Sequence, residues 1–382
     1  MREILFVAGE VSGDLHAAGV ARQLAAAGAP YHLVGIGGDE MRAAGVELVE
    51  HVERLAVMGI VEVLEHVPKH WSLLRALKRR IGSGRVALVV LIDYPTFNMK
   101  VAEAATAAGV PVLYYITPQV WAWGADRLAR LARTVTKAAV ILPFEEELLR
   151  KHGIDAAFVG HPLLDRLEHL PDRSEARRAL DFAADDRVLA LFPGSREQEI
   201  ERHLDAFVGS ARELQRRDPR LRVVVSVAPH VSFEQSRCPF PMVRSASFTV
   251  LRAADAALCK SGTTTLEAAV AGCPLVVAYR TSRLTYAAAR RLVKIPNIGL
   301  VNVVAGHRVA PEFVQDALEP ASVADALAAL LDHSRSERRT MLDELARVRA
   351  ALGTPGAAVR VAALAAQMAA APSTTARQVH AG

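Results

Sequence analysis

"VALVVLIDYPTFNMKVAEAATAAGVPVLYYIT", residues 86–117, decides the fold. Its first eight positions form an apolar run rich in β-branched residues and ending at Asp93. A proline-bearing turn follows, then an alanine-rich helical pattern from Phe97, then Gly109 and a second apolar run over 110–117. Runs that are apolar at every position suit strands buried on both faces of a parallel sheet. Strand, helix and strand in that order form the repeating unit of an α/β doubly wound domain.

The same alternation extends on both sides. "EILFVAG" (3–9) leads into a helix expected from near Leu15, and "YHLVGIGG" (31–38) leads into "DEMRAAG". Farther on it restarts: "VLALFPGSR" (188–196), "LRVVVSVAP" (221–229), "DAALCKSGT" (255–263) and "PLVVAYR" (274–280) read as strands of a second domain. Residues 161–186 between them carry prolines, many charges and no clear strand, and mark the boundary. The expected division is an N-terminal Rossmann-like domain over 1–170 and a C-terminal one over 186–340, facing a cleft. The tail after Pro372 is polar and aperiodic.

Bulk properties agree. The 382 residues exceed one typical domain, and 51% hydrophobic with 23% charged residues describes a globular chain. A net charge of +5 suits an anionic substrate or membrane surface and does not by itself indicate nucleic acid. Cys238, Cys259 and Cys273 form no C-x-x-C pair, which argues against a disulfide framework and for a reducing cytosol. "MREILFVAGE" is too short an apolar run for a signal peptide, and no apolar stretch reaches the ~18 residues of a membrane-spanning helix.

In open α/β sheets ligands bind beyond the carboxyl ends of the strands, so the motifs there carry the chemistry. "AGEVSGDLH" (8–16) places Glu10, Ser12, Gly13 and Asp14 after the first strand, either shaping a cleft floor or simply capping the next helix through Ser12 or Asp14. Asp93 ends "LIDYPTFN" (91–98); it can take a proton from a hydroxyl nucleophile, or cap the helix that follows. In "PGSREQEI" (193–200), Arg196 offers a fork of donors to phosphate, or pairs with Glu197 or Glu199 at the surface. Ser261, Gly262, Thr263 and Thr264 open a helix whose first N–H groups suit an anion. Glu267, one turn on, can accept the hydroxyls of a ribose or complete a capping box with Thr264. Residues 54–80 are amphipathic, basic and carry Trp71, as a membrane-surface helix would be, or as an ordinary surface helix with a core stripe would be. No D-x-D pair calls for a metal, and neither a metal nor a cofactor is expected.

Taken in order, "AGEVSGDLH", "VMGIVEVL", "IDYPTFN", "TPQVWAWGADR", "VGHPLLD", "PGSREQEI" and "SGTTTLEAAVAGCPLVVAYR" resemble the motif series of the bacterial lipid-A-disaccharide synthase family, over roughly residues 4–318. The resemblance implies a GT-B glycosyltransferase fold, with C-terminal helices (341–372) packing back on the N-terminal domain. It implies an inverting transfer from UDP-2,3-diacylglucosamine to 2,3-diacylglucosamine 1-phosphate, giving the β(1→6) lipid A disaccharide and UDP. Asp93 would be the base. Arg196, Ser261, Gly262, Thr263, Thr264, Glu267, Arg280 and Asn302 would bind the nucleotide, with "LVN" (300–302) departing from the family's usual Leu-Pro-Asn and "IPN" just upstream. Met58, Val61, Val63, Leu64, Trp71, Leu74, Arg75 and Lys78 would meet acyl chains or membrane at the cytoplasmic face of the inner membrane, with a homodimer left open. Two other functions stay open from the residues: another UDP-sugar enzyme of this fold, such as a 2-epimerase or a different hexosaminyltransferase, and a non-catalytic nucleotide-sugar-binding scaffold.

Overall fold

The structure is a computed structural model that describes residues 1–54, 60–123, 125–228, 231, 237–244, 246–283, 286 and 296–371. The chain divides into two compact units, Met1–Pro162 together with the chain from Thr354 onward, and Leu163–Gly353.

Unit 1 is built on β1 (Arg2–Ala8), β2 (Tyr31–Gly37), β3 (Glu47–His51), β4 (Val86–Ile92), β5 (Val112–Tyr115), β6 (Lys137–Val140) and β7 (Ala156–Phe158). They run in the order β3-β2-β1-β4-β5-β6-β7, every pair parallel. The connections carry α1 (Val11–Ala26), α2 (Asp39–Ala43), α3 (Ile60–Ile81), α4 (Pro95–Ala107), α5 (Val120–Trp123), α6 (Ala125–Thr134) and α7 (Pro143–Lys151). The central strands are buried along their length; Ile4 to Ala8 and Leu88 to Ile92 are fully inaccessible. Two apolar clusters lie against this sheet, one containing the α3 and α4 residues Leu77 and Val101, the other the α1 residues Ala17 and Leu24.

Unit 2 repeats the plan with β8 (Val188–Phe192), β9 (Arg222–Val227), β10 (Met242–Arg244), β11 (Ala256–Lys260), β12 (Leu275–Tyr279) and β13 (Glu312–Val314). Their order is β10-β9-β8-β11-β12-β13, again all parallel. Its helices are α8 (Arg173–Ala179), α9 (Glu197–Arg217), α10 (Ser247–Ala253), α11 (Thr264–Ala271), α12 (Leu300–Ala305), α13 (Pro320–Leu331) and α14 (Ser336–Ala351). Each sheet has one switch point, between β1 and β4 and between β8 and β11, where connections leave in opposite directions.

A last helix, α15 (Ala357–Ala370), belongs to unit 1. Its small-residue face is buried, with Val361, Ala362, Ala365 and Ala369 in the α1 cluster and Ala357 inaccessible at its start. Arg360 fastens it by donating from Nε to the Val159 carbonyl at 2.8 Å. Of the segment expected to return to the N-terminal domain, 341–372, residues 341–353 belong to unit 2, in and just after α14.

Helix α3 carries the stretch read as a membrane surface. Its 3.6-residue period turns Leu73, Leu74, Leu77 and Ile81 onto the sheet, all under 9% exposed. Leu74 is therefore a core residue and not part of an outward apolar surface. Trp71, 60% exposed, and Arg75, Lys78 and Arg79 face outward, and the Lys100 ammonium lies 5.7 Å from the Trp71 ring. Met58 lies outside the described residues, as do the side chains of Val61, Val63 and Leu64 on the first turns of α3.

Candidate active site

In unit 1 the chemistry-bearing residues gather at the switch point. Gly9 and Glu10 leave β1, and Asp93 and Tyr94 leave the adjacent β4. Helix α1 begins at Val11, four residues earlier than expected, with Glu10 as its extended capping residue and no side-chain cap bond. Ser12 and Asp14 thus lie within the helix and do not cap it. Ser12 is exposed and Gly13 is packed against Ala8 and Ile92. Asp14, 4% exposed, instead accepts hydrogen bonds from the N–H groups of Gly38 (2.6 Å), Glu40 (3.1 Å) and Met41 (3.1 Å). It caps α2 and holds the loop after β2.

Asp93 is half-buried, and its backbone is unusual. Asp93 (φ 47°) and Tyr94 (φ 50°) are both left-handed, as is Ile116 (φ 58°) after β5. Each such non-glycine residue costs on the order of 1–3 kcal/mol and persists only where surrounding contacts over-determine it. Those contacts are present. The Asp93 carbonyl accepts hydrogen bonds from Tyr114 Oη (2.8 Å) and Asn98 Nδ2 (2.7 Å). Burial, and then the Asp93 charge, push the Tyr114 phenol up, so it remains a donor. Asn98 is fully buried, its Nδ2 also within 3.3 Å of the Val7 carbonyl and 3.2 Å of the Ile92 carbonyl, while its Oδ1 has no hydrogen-bond partner among the described residues. An orphaned acceptor costs about 1–3 kcal/mol, so the position is kept for its donor end. Tyr94 caps α4 with Pro95 at the first helical position, so the capping role considered for Asp93 falls to its neighbour. The Tyr94 ring rests on Gly9, where a Cβ would come within 2.0 Å of Tyr94 Cγ, and its hydroxyl lies 2.8 Å from His70 Nε2. Burial and the charge of Glu10 raise the Tyr94 phenol.

In unit 2 the turns after β8 and β11 are joined. Glu199, in the first turn of α9, folds back to accept from Ser195 N (3.0 Å), and Lys260 Nζ reaches its Oε1 at 2.8 Å. Gly194 (φ 149°) makes room, since a Cβ there would lie 2.6 Å from Glu199 Cβ. Arg196 is the capping residue of α9; its side chain is 70% exposed and stands 4.0 Å from Glu199 Oε1. The next turn starts α11 at Thr264 with Thr263 as capping residue and no side-chain cap bond. The Thr264–Glu267 capping box considered from the spacing does not form. Glu267 lies within 3.8 Å of Arg166 Nη1, and burial raises its carboxyl against the opposing effects of Arg166 and Ser247. Ser261 Oγ donates to the Ile298 carbonyl at 2.7 Å, and Thr265 Oγ1 to the Gly262 carbonyl at 2.8 Å.

Two residues expected to bind nucleotide make hydrogen bonds within unit 2. Arg280 donates from Nη2 to the carbonyls of Gln315 (3.3 Å) and Leu318 (3.0 Å). Its own N–H donates to His203 Nε2 at 2.8 Å, which leaves His203 Nδ1 as donor to the Glu199 carbonyl. His203 thereby ties the end of β12 to the start of α9, a role that no motif signalled. Asn302 is fully buried, accepts from Val309 N and Ala310 N, and donates to the Ala310 carbonyl and Glu312 Oε1, each at 2.8 Å. With all four amide valences used, Asn302 has nothing left for a ligand and staples its own loop.

A family model described as lipid-A-disaccharide synthetase matches residues 4–363. The lipid-A-disaccharide synthase of Geobacter metallireducens is 40% identical over 376 residues, covering 96% of this chain and 97% of that one. Among solved structures, the calicheamicin glycosyltransferase CalG4 aligns with a TM-score of 0.60 at 19% identity, over 96% of this chain and 98% of that one. UDP-GlcNAc 2-epimerase from Neisseria meningitidis aligns with a TM-score of 0.65 at 15% identity, over 95% and 99%. These structural likenesses establish a GT-B fold, and the full-length match in sequence goes further: the chain belongs to the lipid-A-disaccharide synthase family and is a glycosyltransferase of lipid A disaccharide synthesis.

Proposed function

We propose that the chain joins UDP-2,3-diacylglucosamine to 2,3-diacylglucosamine 1-phosphate by one inverting displacement. Asp93 removes the proton from the acceptor 6-hydroxyl as that oxygen attacks the donor sugar C1. The C1–O bond to the diphosphate breaks in the same step, and UDP leaves with the negative charge. Unit 2 meets that charge with the Arg196 guanidinium and the start of α11 at Gly262, Thr263 and Thr264. Glu267 is the candidate ligand of the ribose hydroxyls. The observation that carries this reading is the position of Asp93, on a strained turn at the switch point of unit 1, in a chain of this family.

The acyl chains of both substrates require an apolar boundary. The outward side of α3, with Trp71, Arg75, Lys78 and Arg79, is suited to the anionic cytoplasmic face of a membrane. No helix among the described residues is long and apolar enough to cross a bilayer.

The test is direct. Purified protein incubated with both substrates yields UDP and the tetraacylated disaccharide 1-phosphate in equal amounts, and Asp93→Asn binds UDP but turns over at least a hundredfold more slowly. Release of UDP with no disaccharide, or full turnover in Asp93→Asn, would refute the assignment.

A further inference from the structure

We propose that Tyr114 and Asn98 are positioning residues for Asp93: by gripping its carbonyl oxygen they set the direction in which its carboxylate leaves the sheet. The proposal rests on Asp93 acting as the base. The carbonyl is held from two separate elements, by Tyr114 Oη from β5 at 2.8 Å and by Asn98 Nδ2 from the first turn of α4 at 2.7 Å. It belongs to the first of two consecutive left-handed residues, a conformation with no local preference to sustain it. The second, Tyr94, is pinned through its ring on Gly9 and its hydroxyl at His70. Loss of the grip on the carbonyl lets Asp93 relax out of its left-handed conformation, and that change in φ and ψ re-aims its Cα–Cβ bond. A general base works only within hydrogen-bond reach of its proton, about 2.6–3.2 Å, and a displacement of roughly 1 Å can cost on the order of a hundredfold in rate.

Tyr114→Phe keeps the buried ring and deletes only the donor. The expected result is a fall of about 10- to 100-fold in the single-turnover rate of disaccharide formation. Kd for UDP should stay within about twofold, because unit 2 is untouched, and KM for the acceptor should change far less than the rate, because the aim of the base and not the binding of substrate is altered. Asn98→Ala, which removes the second donor, should show the same pattern. Circular dichroism and the thermal midpoint establish that each variant is folded. Folded variants with wild-type turnover would overturn the proposal. So would a loss of activity that merely tracks the folded fraction. Failure of the parent assignment looks different: there Asp93→Asn itself would keep its turnover.

Discussion

Lys260 Nζ lies 2.8 Å from Glu199 Oε1, and this ion pair joins the end of β11 to the first turn of α9, which follows the neighbouring strand β8. Burial works to raise the Glu199 carboxyl, but hydrogen bonds from Lys260 and Ser195 and the charge of Lys260 bring it below its ordinary value. A carboxylate therefore sits charged beside the proposed diphosphate seat, and Lys260 neutralises it. In Lys260→Met the uncompensated carboxylate repels the ligand, and UDP affinity measured by calorimetry should drop about tenfold, or ~1.4 kcal/mol. Glu199→Gln added to that variant should recover part of the loss, a coupling that a double-mutant cycle reads directly. Equal UDP affinity in the wild type and Lys260→Met would place the diphosphate elsewhere.

Asn302 separates a structural from a ligand role. Its four hydrogen bonds hold Val309, Ala310 and Glu312, and Glu312 in turn accepts from the N–H groups of Ile298 and Gly299. Asn302→Ala leaves buried donors and an acceptor without partners, so the unfolding free energy should fall by about 2–4 kcal/mol in a urea titration. UDP affinity of the folded fraction should be unchanged; a selective loss of UDP binding at full stability would return Asn302 to the ligand set.

These two residues also show what a sequence can carry. The long strands were legible because β1, β4, β8 and β11 are buried on both faces and must be apolar at each position. The rim strands β3, β10 and β13, each three to five residues and half-exposed, lack that run and gave no signal. Around the candidate site, the positions of Asp93 and Arg196 just beyond strand ends were legible from their motifs. The partners of Asp14, Arg280 and Asn302 were not legible, because tertiary contacts set them: Asp14 binds N–H groups 24–27 residues away, and Arg280 carbonyls 35–38 residues away. A carboxylate, guanidinium or amide after a strand looks the same in sequence whether it meets a substrate or a loop.

His161, directly beyond β7, gives a pH dependence. It is 5% exposed, and burial, helped by the nearby His16, lowers it from 6.5 to about 4. The folded chain thus holds this histidine neutral while the unfolded chain protonates near pH 6.5. Its contribution is complete above that value and is lost as pH falls toward 4, by roughly 3 kcal/mol in all. Urea unfolding at a series of pH values should show stability falling across this window, and His161→Gln should flatten the slope there. An unaltered slope in the variant would assign the acid sensitivity to other groups.

The outward side of α3 is the last point open to a simple measurement. Arg75, Lys78 and Arg79 are exposed, whereas Arg80 is drawn inward to Glu3 at 2.7 Å. Each free cation near an anionic bilayer contributes about 1 kcal/mol. Charge-neutralising Arg75, Lys78 and Arg79 to Gln should therefore weaken binding to vesicles containing anionic lipid by roughly 100-fold in sedimentation, and little to neutral vesicles. Trp71→Ala should lower binding to both kinds, since an indole inserts whatever the headgroup charge. The core stripe is the control. Leu74 faces the sheet, so Leu74→Ala should lower the unfolding free energy by about 2–5 kcal/mol without a matching loss of vesicle binding by the folded protein. If Leu74→Ala instead releases the protein from vesicles at unchanged stability, α3 turns a different face to the membrane.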